Sequence, residues 1–359
     1  MGGTQTSPLL FKDKPIFGLD IGFSTVKVMQ IEQSTKKARP VIGYGVSKFN
    51  NNAILDGELV DLDHVAHTIA ELFESNIIGN ITTRRVAVSI PSARTFTKTI
   101  TLPSLPKKEI DEAVLSELSQ YISIPLEDLY SDYSVINESK EGIEILSVSI
   151  PKTIVNSYLQ LLQVLGLEPV LFDTSIGAAG RLFGHQGIST DIPSVLIDFG
   201  SLTADITIYD KTVIVTSTAS CGGDIFTDLI AKKLKVTKEE ASLIKGKYGL
   251  GKSKKQNEIV NALSGELENL VREIRRMIRY FEDRSEKNDK IGQIITMGGG
   301  ANMPGLSDHL TSTLRLPVRT CDPWTVFDTG RLRSPKTTEK AMFVTAFGLA
   351  LVNPKEIYK

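Results

Sequence analysis

Two stretches of the chain share an arrangement of residues that could bind phosphate and a metal ion. In each, an aspartate ends an apolar strand, a glycine follows two residues later, and small hydroxyl residues open a second strand. The glycine lets the backbone approach a ligand, the turn's N–H groups and hydroxyls can donate to phosphate oxygens, and the carboxylate can hold Mg²⁺ through water. The first stretch contains Asp20, Gly22, Ser24, Thr25 and Lys27, and the second contains Asp198, Gly200, Ser201 and Thr203.

A single aspartate–glycine pair occurs in many tight hairpins, so the prediction depends on the whole set of motifs. In a third motif, a buried strand at 293–297 runs into a glycine turn and then into a helical pattern at 306–314. Such a turn leaves a flat backbone surface on which a nucleoside can lie. The motif consists of Gly298, Gly299, Gly300 and Asn302. The three motifs together predict a nucleotide site that both hairpins share.

Composition and charge exclude several classes of protein. The 359 residues carry 41 Lys+Arg against 42 Asp+Glu, which gives a formal net charge of -1 and no bulk field for nucleic acid or an anionic membrane. The apolar runs are shorter than the roughly 20 residues that span a bilayer. Two cysteines cannot form a disulfide framework, so we expect a reducing cytoplasm.

Hydrophobic periodicity predicts an α/β protein in which one pattern of elements occurs twice. A hairpin, a further strand, a helix and a buried strand fill residues 16–90, and the strands begin again at 195. Between them, residues 92–166 have a βαββα pattern typical of an inserted α+β subdomain. A long helix with an arginine-rich face extends to Phe281, and His64 and His67 are interpreted as a solvated helix face rather than a metal site.

The order of the three motifs resembles the ATP site of the actin, Hsp70 and hexokinase superfamily. Within it, the chain is similar over nearly its whole length to the type IV pilus assembly PilM family, whose members are related to the division protein FtsA. The resemblance is carried by the opening Phe-Gly-Leu-Asp-Ile-Gly-Phe-Ser-Thr-Val-Lys-Val at 17–28, Leu-Pro-Ser-Leu-Pro-Lys-Lys-Glu-Ile at 102–110, Gly-Leu-Glu-Pro-Val at 166–170 and Met-Gly-Gly-Gly-Ala-Asn-Met-Pro-Gly-Leu at 297–306.

The resemblance implies a two-lobed actin-like ATPase fold with the inserted subdomain in the first lobe. The implied divisions are a flexible tail at 1–14, a first lobe at 15–91, 167–194 and 334–359, the inserted subdomain at 92–166, a second lobe at 195–231 and 291–333, and a helical subdomain at 232–290. ATP with Mg²⁺ would lie between the lobes.

The resemblance also implies roles for individual residues. The hairpin and glycine-turn residues would bind the nucleotide, with Asp20 and Asp198 holding Mg²⁺ through water. Further contacts would come from Gly222, Gly223, Asp224 and Lys245. Two departures from the family argue against rapid hydrolysis, because Ser175 and Ser242 stand where relatives have glutamates. We therefore expect ATP binding with slow or no hydrolysis.

As the family implies, the protein would be a cytoplasmic scaffold of type IV pilus assembly. It would bind the N-terminal cytoplasmic peptide of PilN in a groove between the first lobe and the inserted subdomain. It would thereby reach the inner face of the cytoplasmic membrane only through that partner. Contacts with other pilus assembly proteins and a homo-oligomer are compatible with this function, and nucleic-acid binding is not expected.

Two alternatives remain open at this point. A sugar-type kinase of the same superfamily would need a carboxylate base beside a substrate hydroxyl, and no such acid is evident. An FtsA-like filament protein would attach through a C-terminal amphipathic helix, which the residues at 353–359 do not resemble. The small residues at 177–180 and 346–350 predict either a close helix crossing that serves as the hinge of relatives or two ordinary core helices.

Overall fold

A computed structural model describes residues 14–32, 39–139, 142–185, 191–285 and 289–357, so nearly all of the predicted tail at 1–14 lies outside the described residues. The strands are β1 (Phe17–Ile21), β2 (Thr25–Ile31), β3 (Val41–Lys48), β4 (Ile54–Leu55), β5 (Glu58–Leu59), β6 (Ile77–Gly79), β7 (Arg85–Ile90), β8 (Phe96–Leu102), β9 (Leu129–Glu138), β10 (Ile143–Pro151), β11 (Glu168–Thr174), β12 (Ser194–Phe199), β13 (Ala204–Asp210), β14 (Thr212–Ala219), β15 (Gln293–Met297) and β16 (Val318–Thr320).

The α-helices are α1 (Leu62–Ser75), α2 (Lys107–Tyr121), α3 (Lys152–Val164), α4 (Ser175–Phe183), α5 (Gly223–Leu234), α6 (Lys238–Lys247), α7 (Gln256–Glu282), α8 (Leu306–Leu314), α9 (Val344–Ala350) and α10 (Pro354–Ile357). Short 3₁₀ helices are Asn51–Ala53, Ser92–Arg94, Leu126–Asp128, Gly299–Asn302, Pro323–Thr325 and Thr337–Phe343.

Contacts between Cα atoms divide the chain into two compact units. The first consists of Met1–Pro91, Asn156–Ser189 and Asp322–Lys359, and the second of Ser92–Val155 and Thr190–Cys321. This division groups residues 92–155 with the second unit and residues 322–333 with the first. The predicted lobes were drawn differently at both places, and their boundaries stay predictions.

The first unit is built on a six-stranded sheet with the order β11-β7-β1-β2-β3-β6. β1 and β7 are buried along their whole length, which explains why both are almost continuously apolar. β1, β7 and β11 run parallel, with Leu19 beside Val88 and Asp173 beside Ser89. Their carboxyl ends therefore meet at one edge of the sheet, where α/β proteins commonly bind ligands.

Two helices of the first unit cross with almost no space between their backbones. A β-carbon on Gly348 of α9 would lie 1.8 Å from the carbonyl oxygen of Ala178 in α4. Arg181 of α4 also donates from Nη1 to the carbonyl oxygen of Gly348 at 3.3 Å. The predicted close crossing is confirmed, because its small residues allow this distance, whereas its use as a hinge stays a prediction.

The second unit contains a five-stranded sheet with the order β14-β13-β12-β15-β16. β12, β13 and β14 form an antiparallel meander, and β15 pairs parallel with β12. The predicted long helix is α7, which buries Leu263, Leu267 and Ile274 in the core of this unit and leaves Arg272 and Arg276 exposed.

The same unit includes a separate three-stranded sheet with the order β8-β10-β9. Helix α2 packs on one face of it, where Val114 and Leu118 join Ile100 and Ile145 in a small apolar core. The predicted order of elements is confirmed by β8, α2, β9, β10 and α3, whereas the bounds of the subdomain stay a prediction because the division into units falls within α3. Among the described residues β9 pairs only with β10, so it forms one edge of this sheet.

Candidate functional site

The first predicted hairpin is formed by β1 and β2, which bring two charged side chains together. Asp20 lies opposite Lys27, and Lys27 Nζ donates to Asp20 Oδ2 at 2.7 Å. Ser89, at the end of β7, donates to Asp20 Oδ1 at 2.7 Å. Asp20 and Lys27 are both buried, so each charge depends on the other for compensation. Ser89 was not predicted as a site residue.

The turn of this hairpin is closed by backbone hydrogen bonds alone. Gly22 N donates to Thr25 O at 2.9 Å, and Phe49 N donates to Ser24 O at 3.1 Å. A β-carbon on Gly22 would meet its nearest neighbour, Thr25 O, at 3.5 Å, which is an ordinary contact. The surrounding protein atoms therefore do not require a glycine at position 22. Free space at this position is expected of a turn that leaves room for a ligand.

The second predicted hairpin, formed by β12 and β13, closes in the same way. Gly200 N donates to Thr203 O at 2.9 Å. In the part of the chain that the structure describes, Ser201 Oγ is buried and has no hydrogen-bond partner. A buried hydroxyl of this kind is a candidate donor to a phosphate oxygen.

The two hairpins differ at the position opposite the aspartate. Asp198 lies opposite Asp205, where the first hairpin has Lys27. Asp205 is buried and accepts a hydrogen bond from Thr218 Oγ1 at 2.8 Å. Burial raises the pKa of Asp205 to about 6, although the bond from Thr218 opposes that rise. Asp205 was not predicted as a site residue. It follows Asp198 by seven residues, as Lys27 follows Asp20, so a position-by-position comparison of the two motifs would have identified it.

The pKa of Asp205 predicts a pH-dependent stability. Because the folded state keeps this proton up to about pH 6, and an unfolded aspartate has a pKa of about 3.9, the contribution of this carboxyl to stability should be highest at low pH. It should fall by about 3 kcal/mol as the pH rises from about 4 to 6 and stay constant above that. Urea titrations should show this fall in the wild type and not in Asp205→Asn. Parallel pH profiles for the two proteins would contradict the prediction.

The glycine turn packs directly against the second hairpin. Gly298 has a φ of 82°, and a β-carbon on it would lie 2.2 Å from Asp198 Oδ1. A β-carbon on Gly300 would lie 2.9 Å from the β-carbon of Phe199. Gly299 is exposed and has no neighbour within 4 Å of its ideal β-carbon, so the turn presents open backbone there. Asn302 ends the 3₁₀ helix that follows.

The glycine pair before α5 also packs against the second hairpin. A β-carbon on Gly222 would lie 2.2 Å from Ser201 O. Gly223 N donates to Gly200 O at 2.9 Å, and Asp224 N donates to Ser201 O at 2.7 Å. These first amides of the helix therefore bind the hairpin backbone, and the implied contacts of Gly222, Gly223 and Asp224 with a nucleotide stay predictions.

Lys245 of α6 extends the same cluster. Its Nζ donates to the carbonyl oxygen of Gly223 and, at 2.8 Å, to Thr227 Oγ1. Ser242, one turn earlier on α6, is exposed. All predicted residues of the second unit thus lie around the β12–β13 hairpin, and those of the first unit lie in the β1–β2 hairpin.

Ser175, which the resemblance places at the position of a glutamate in relatives, is the first residue of α4. Thr174 caps this helix, since its Oγ1 accepts from Gly177 N at 2.8 Å. The carboxylate nearest in sequence is that of Asp173. Its Oδ2 lies 2.7 Å from Arg181 Nη2, but the two groups are not aligned for a hydrogen bond. A hydroxyl at the start of α4 cannot act as the carboxylate base that hydrolysis would use.

The remaining features of the sequence analysis concern metal ions, the two histidines of α1 and the membrane. Across the described ranges, no three His, Cys, Asp or Glu side chains cluster as metal ligands would. His64 Nε2 accepts from Asn50 N at 3.3 Å, and His67 forms an exposed ion pair with Glu71. No helix in the described part of the chain is both long and apolar enough to cross a bilayer.

Solved structures share this fold. A structure of the PilM-PilN type IV pilus biogenesis complex superposes with a TM-score of 0.81 at 23% identity, covering 94% of this chain and 98% of the other. MreB5 of Spiroplasma citri bound to AMPPNP gives a TM-score of 0.52 at 13% identity, covering 94% and 95%. The predicted actin-like ATPase fold is confirmed.

Sequence comparison is more specific than the fold. Cell division protein FtsA of Streptococcus pneumoniae serotype 2 is 24% identical over 329 residues, which is 80% of this chain and 71% of that protein. The sequence profile described as Type IV pilus assembly protein PilM matches residues 18–353. Because this match covers nearly the whole chain, the chain belongs to the type IV pilus assembly protein PilM family.

Proposed function

We propose that this chain binds ATP with Mg²⁺ and links the type IV pilus assembly machinery to the membrane by binding the N-terminal cytoplasmic segment of PilN. The observation that carries the nucleotide part is the pair of matching hairpins, each with a strand-end aspartate and the same glycine-to-threonine backbone bond. The pilus part rests on family membership. The protein acts at the inner face of the cytoplasmic membrane, which it reaches through PilN.

The residues around the second hairpin fit a nucleotide. Ser201 offers a buried hydroxyl without a partner among the described residues, and Gly299 offers open backbone on which an adenosine can lie. Asp20 and Asp198 hold hydrated Mg²⁺, which neutralises the phosphates when it is bound. Gly22, Ser24, Thr25, Lys27, Gly200 and Thr203 supply further phosphate contacts, and Gly222, Gly223, Asp224, Lys245, Gly298, Gly300 and Asn302 supply contacts around the nucleoside.

Gly299→Leu should abolish ATP binding while leaving the fold intact. A leucine at 299 meets no protein atom within 4 Å of its β-carbon, so its bulk is directed at whatever lies on the turn. Isothermal titration with Mg²⁺ and ATP measures the loss, and urea unfolding checks stability. Gly265→Leu, at an exposed position of α7 that is equally open, is the matched control and should bind ATP as the wild type does. Equal affinities in both variants would remove the glycine turn from the nucleotide site.

Hydrolysis should be slow or absent, because Ser175 supplies no carboxylate to orient the attacking water. This distinguishes an ATP-binding scaffold from an enzyme whose product is phosphate. The rate of phosphate release from ATP, measured with the same purified protein in the titration buffer, checks this expectation.

Binding to membranes should depend on PilN. The formal net charge of -1 gives little attraction to anionic lipid, and no described helix is suited to cross a bilayer. Flotation should therefore recover the protein with vesicles that display the N-terminal cytoplasmic segment of PilN and not with bare vesicles of the same lipids. Equal recovery with bare vesicles would contradict the adaptor function without affecting the nucleotide proposal.

A further inference from the structure

The second unit has a surface pocket that contains none of the predicted nucleotide residues. The pocket has a volume of about 290 Å³ and lies between α7, the end of α8 and the residues just before β15. Its apolar part is formed by Ile278, Ile291, Leu314 and Leu316, which are buried or half-buried. This volume is at the lower limit for a small-molecule site, and it is sufficient for one large apolar side chain.

The charged side chains that line the pocket leave an excess of positive charge. Glu282 is compensated, because its Oε2 accepts a hydrogen bond from Lys290 Nζ at 2.9 Å. Arg275 donates from Nη2 to the carbonyl oxygen of Thr313 at 2.9 Å, and this neutral partner leaves the charge of Arg275 uncompensated. Arg279 has no hydrogen-bond or ion-pair partner among the residues that the structure describes. The pocket therefore fits an apolar side chain that has carboxylates beside it.

Helix α2 of the same chain carries a surface of this complementary kind. Residues 109–139 contain eight acidic residues and no lysine or arginine. Leu115 is 44% exposed, although α2 buries its other leucine, Leu118. Asp111 and Glu112, both exposed, lie one helical turn before Leu115 and therefore on the same side of the helix. α2 thus presents an exposed leucine beside two carboxylates.

We propose that the pocket binds α2 of a second copy of this chain. Leu115 enters the apolar part, and the carboxylates of Asp111 and Glu112 face the guanidinium groups of Arg275 and Arg279. Burial of the leucine supplies most of the affinity, whereas the charges select the partner and its orientation. Because the two surfaces differ, each copy can supply α2 to one neighbour and the pocket to another. The contact goes beyond the proposed function and does not depend on it.

Sedimentation equilibrium of the full chain tests the contact. One helix on a small pocket is at the low end of interface sizes, so the average mass of the wild type should rise with protein concentration. Arg279→Glu and Glu112→Lys should each weaken association by about tenfold or more, because like charges then face each other. The double variant Arg279→Glu/Glu112→Lys should regain most of the association. A wild type that stays monomeric at its highest soluble concentration, or a double variant without recovery, would overturn the proposal.

Two matched variants separate this contact from general effects of charge and of exposed leucines. Lys233→Glu on α5 changes the net charge as Arg279→Glu does, at an exposed lysine that does not line the pocket, and should associate as the wild type does. Leu115→Ala should weaken association, whereas Leu243→Ala, at a leucine of α6 that is 74% exposed, should not. Equal weakening within either pair of variants would overturn the proposal.

Cross-linking identifies the segment that fills the pocket. Both native cysteines are buried, so a short bismaleimide should react mainly with introduced thiols. Glu112→Cys/Arg279→Cys should give covalent oligomers, and Glu112→Cys/Lys233→Cys should not. Covalent oligomers in both variants, or in neither, would overturn the proposal. Association that requires Arg279 but neither Leu115 nor Glu112 would mean that another segment occupies the pocket, and would overturn it as well.

Discussion

Gly348→Ala should destabilise the protein by about 3 kcal/mol, although alanine normally favours a helix by about 1 kcal/mol over glycine. The added β-carbon would lie 1.8 Å from Ala178 O and 2.4 Å from Ala178 C, both backbone atoms that no rotamer change can move. The clash can be relieved only if α9 moves away from α4, which would separate buried Leu349 and Ala178. Urea unfolding monitored by circular dichroism measures the loss.

The matched control is the same substitution at a glycine in an open position. Gly265→Ala in α7 meets no atom within 4 Å, so it should stabilise the protein by up to about 1 kcal/mol. Stability changes of opposite sign in the two variants would establish that the helix crossing, rather than helix propensity, determines the effect of Gly348→Ala. A Gly348→Ala protein as stable as the wild type would mean that α4 and α9 are not this close in solution.

Lys27→Met should destabilise the protein by about 3–5 kcal/mol, because it leaves the buried carboxylate of Asp20 without its cation. Methionine keeps most of the length of lysine, so the loss reflects charge rather than volume. The double variant Lys27→Met/Asp20→Asn should regain much of the stability, since neither charge then remains buried. Both variants should bind ATP more weakly than the wild type.

A partly exposed ion pair of the same unit supplies the control. Lys340 Nζ lies 2.8 Å from Asp322 Oδ2, with side-chain exposures of 27% and 35%. Lys340→Met should therefore cost no more than about 1 kcal/mol. Similar losses of stability for Lys27→Met and Lys340→Met would show that burial of the Lys27–Asp20 pair does not increase the cost of removing its lysine.

Local sequence was sufficient to predict the hairpins and the glycine turn. Each hairpin is encoded within about ten residues, because its strand, turn and returning strand follow one another directly. The long helix α7 was equally visible, since its apolar stripe repeats over many turns. The fold as a whole was predicted through family resemblance, which the order of these local motifs made possible.

The partners of the site residues could not be predicted in the same way. Ser89 donates to Asp20 across 69 positions of sequence, and a serine at the end of a strand has no feature that identifies such a contact. Sequence periodicity indicates that a side chain is buried, but not which buried polar group it faces.

The attachment of α5 to the second hairpin is a further contact that the sequence did not predict. The resemblance implied nucleotide contacts for Gly222 and Gly223, and α5 begins at Gly223. The sequence did not indicate that the amides of Gly223 and Asp224 donate to hairpin carbonyls, because that depends on the tertiary position of α5.

The open edge of β9 has a consequence for how the protein behaves at high concentration. An unpaired strand edge can pair with the edge of another molecule, and proteins commonly prevent this with charge. Residues 109–139 contain eight acidic residues and no lysine or arginine, and Asp132 and Glu138 lie exposed on β9 itself. At neutral pH these carboxylates repel the same edge of a second molecule, which protects the edge from pairing. Below about pH 4, where carboxylates take up protons, this local protection of the β9 edge is lost.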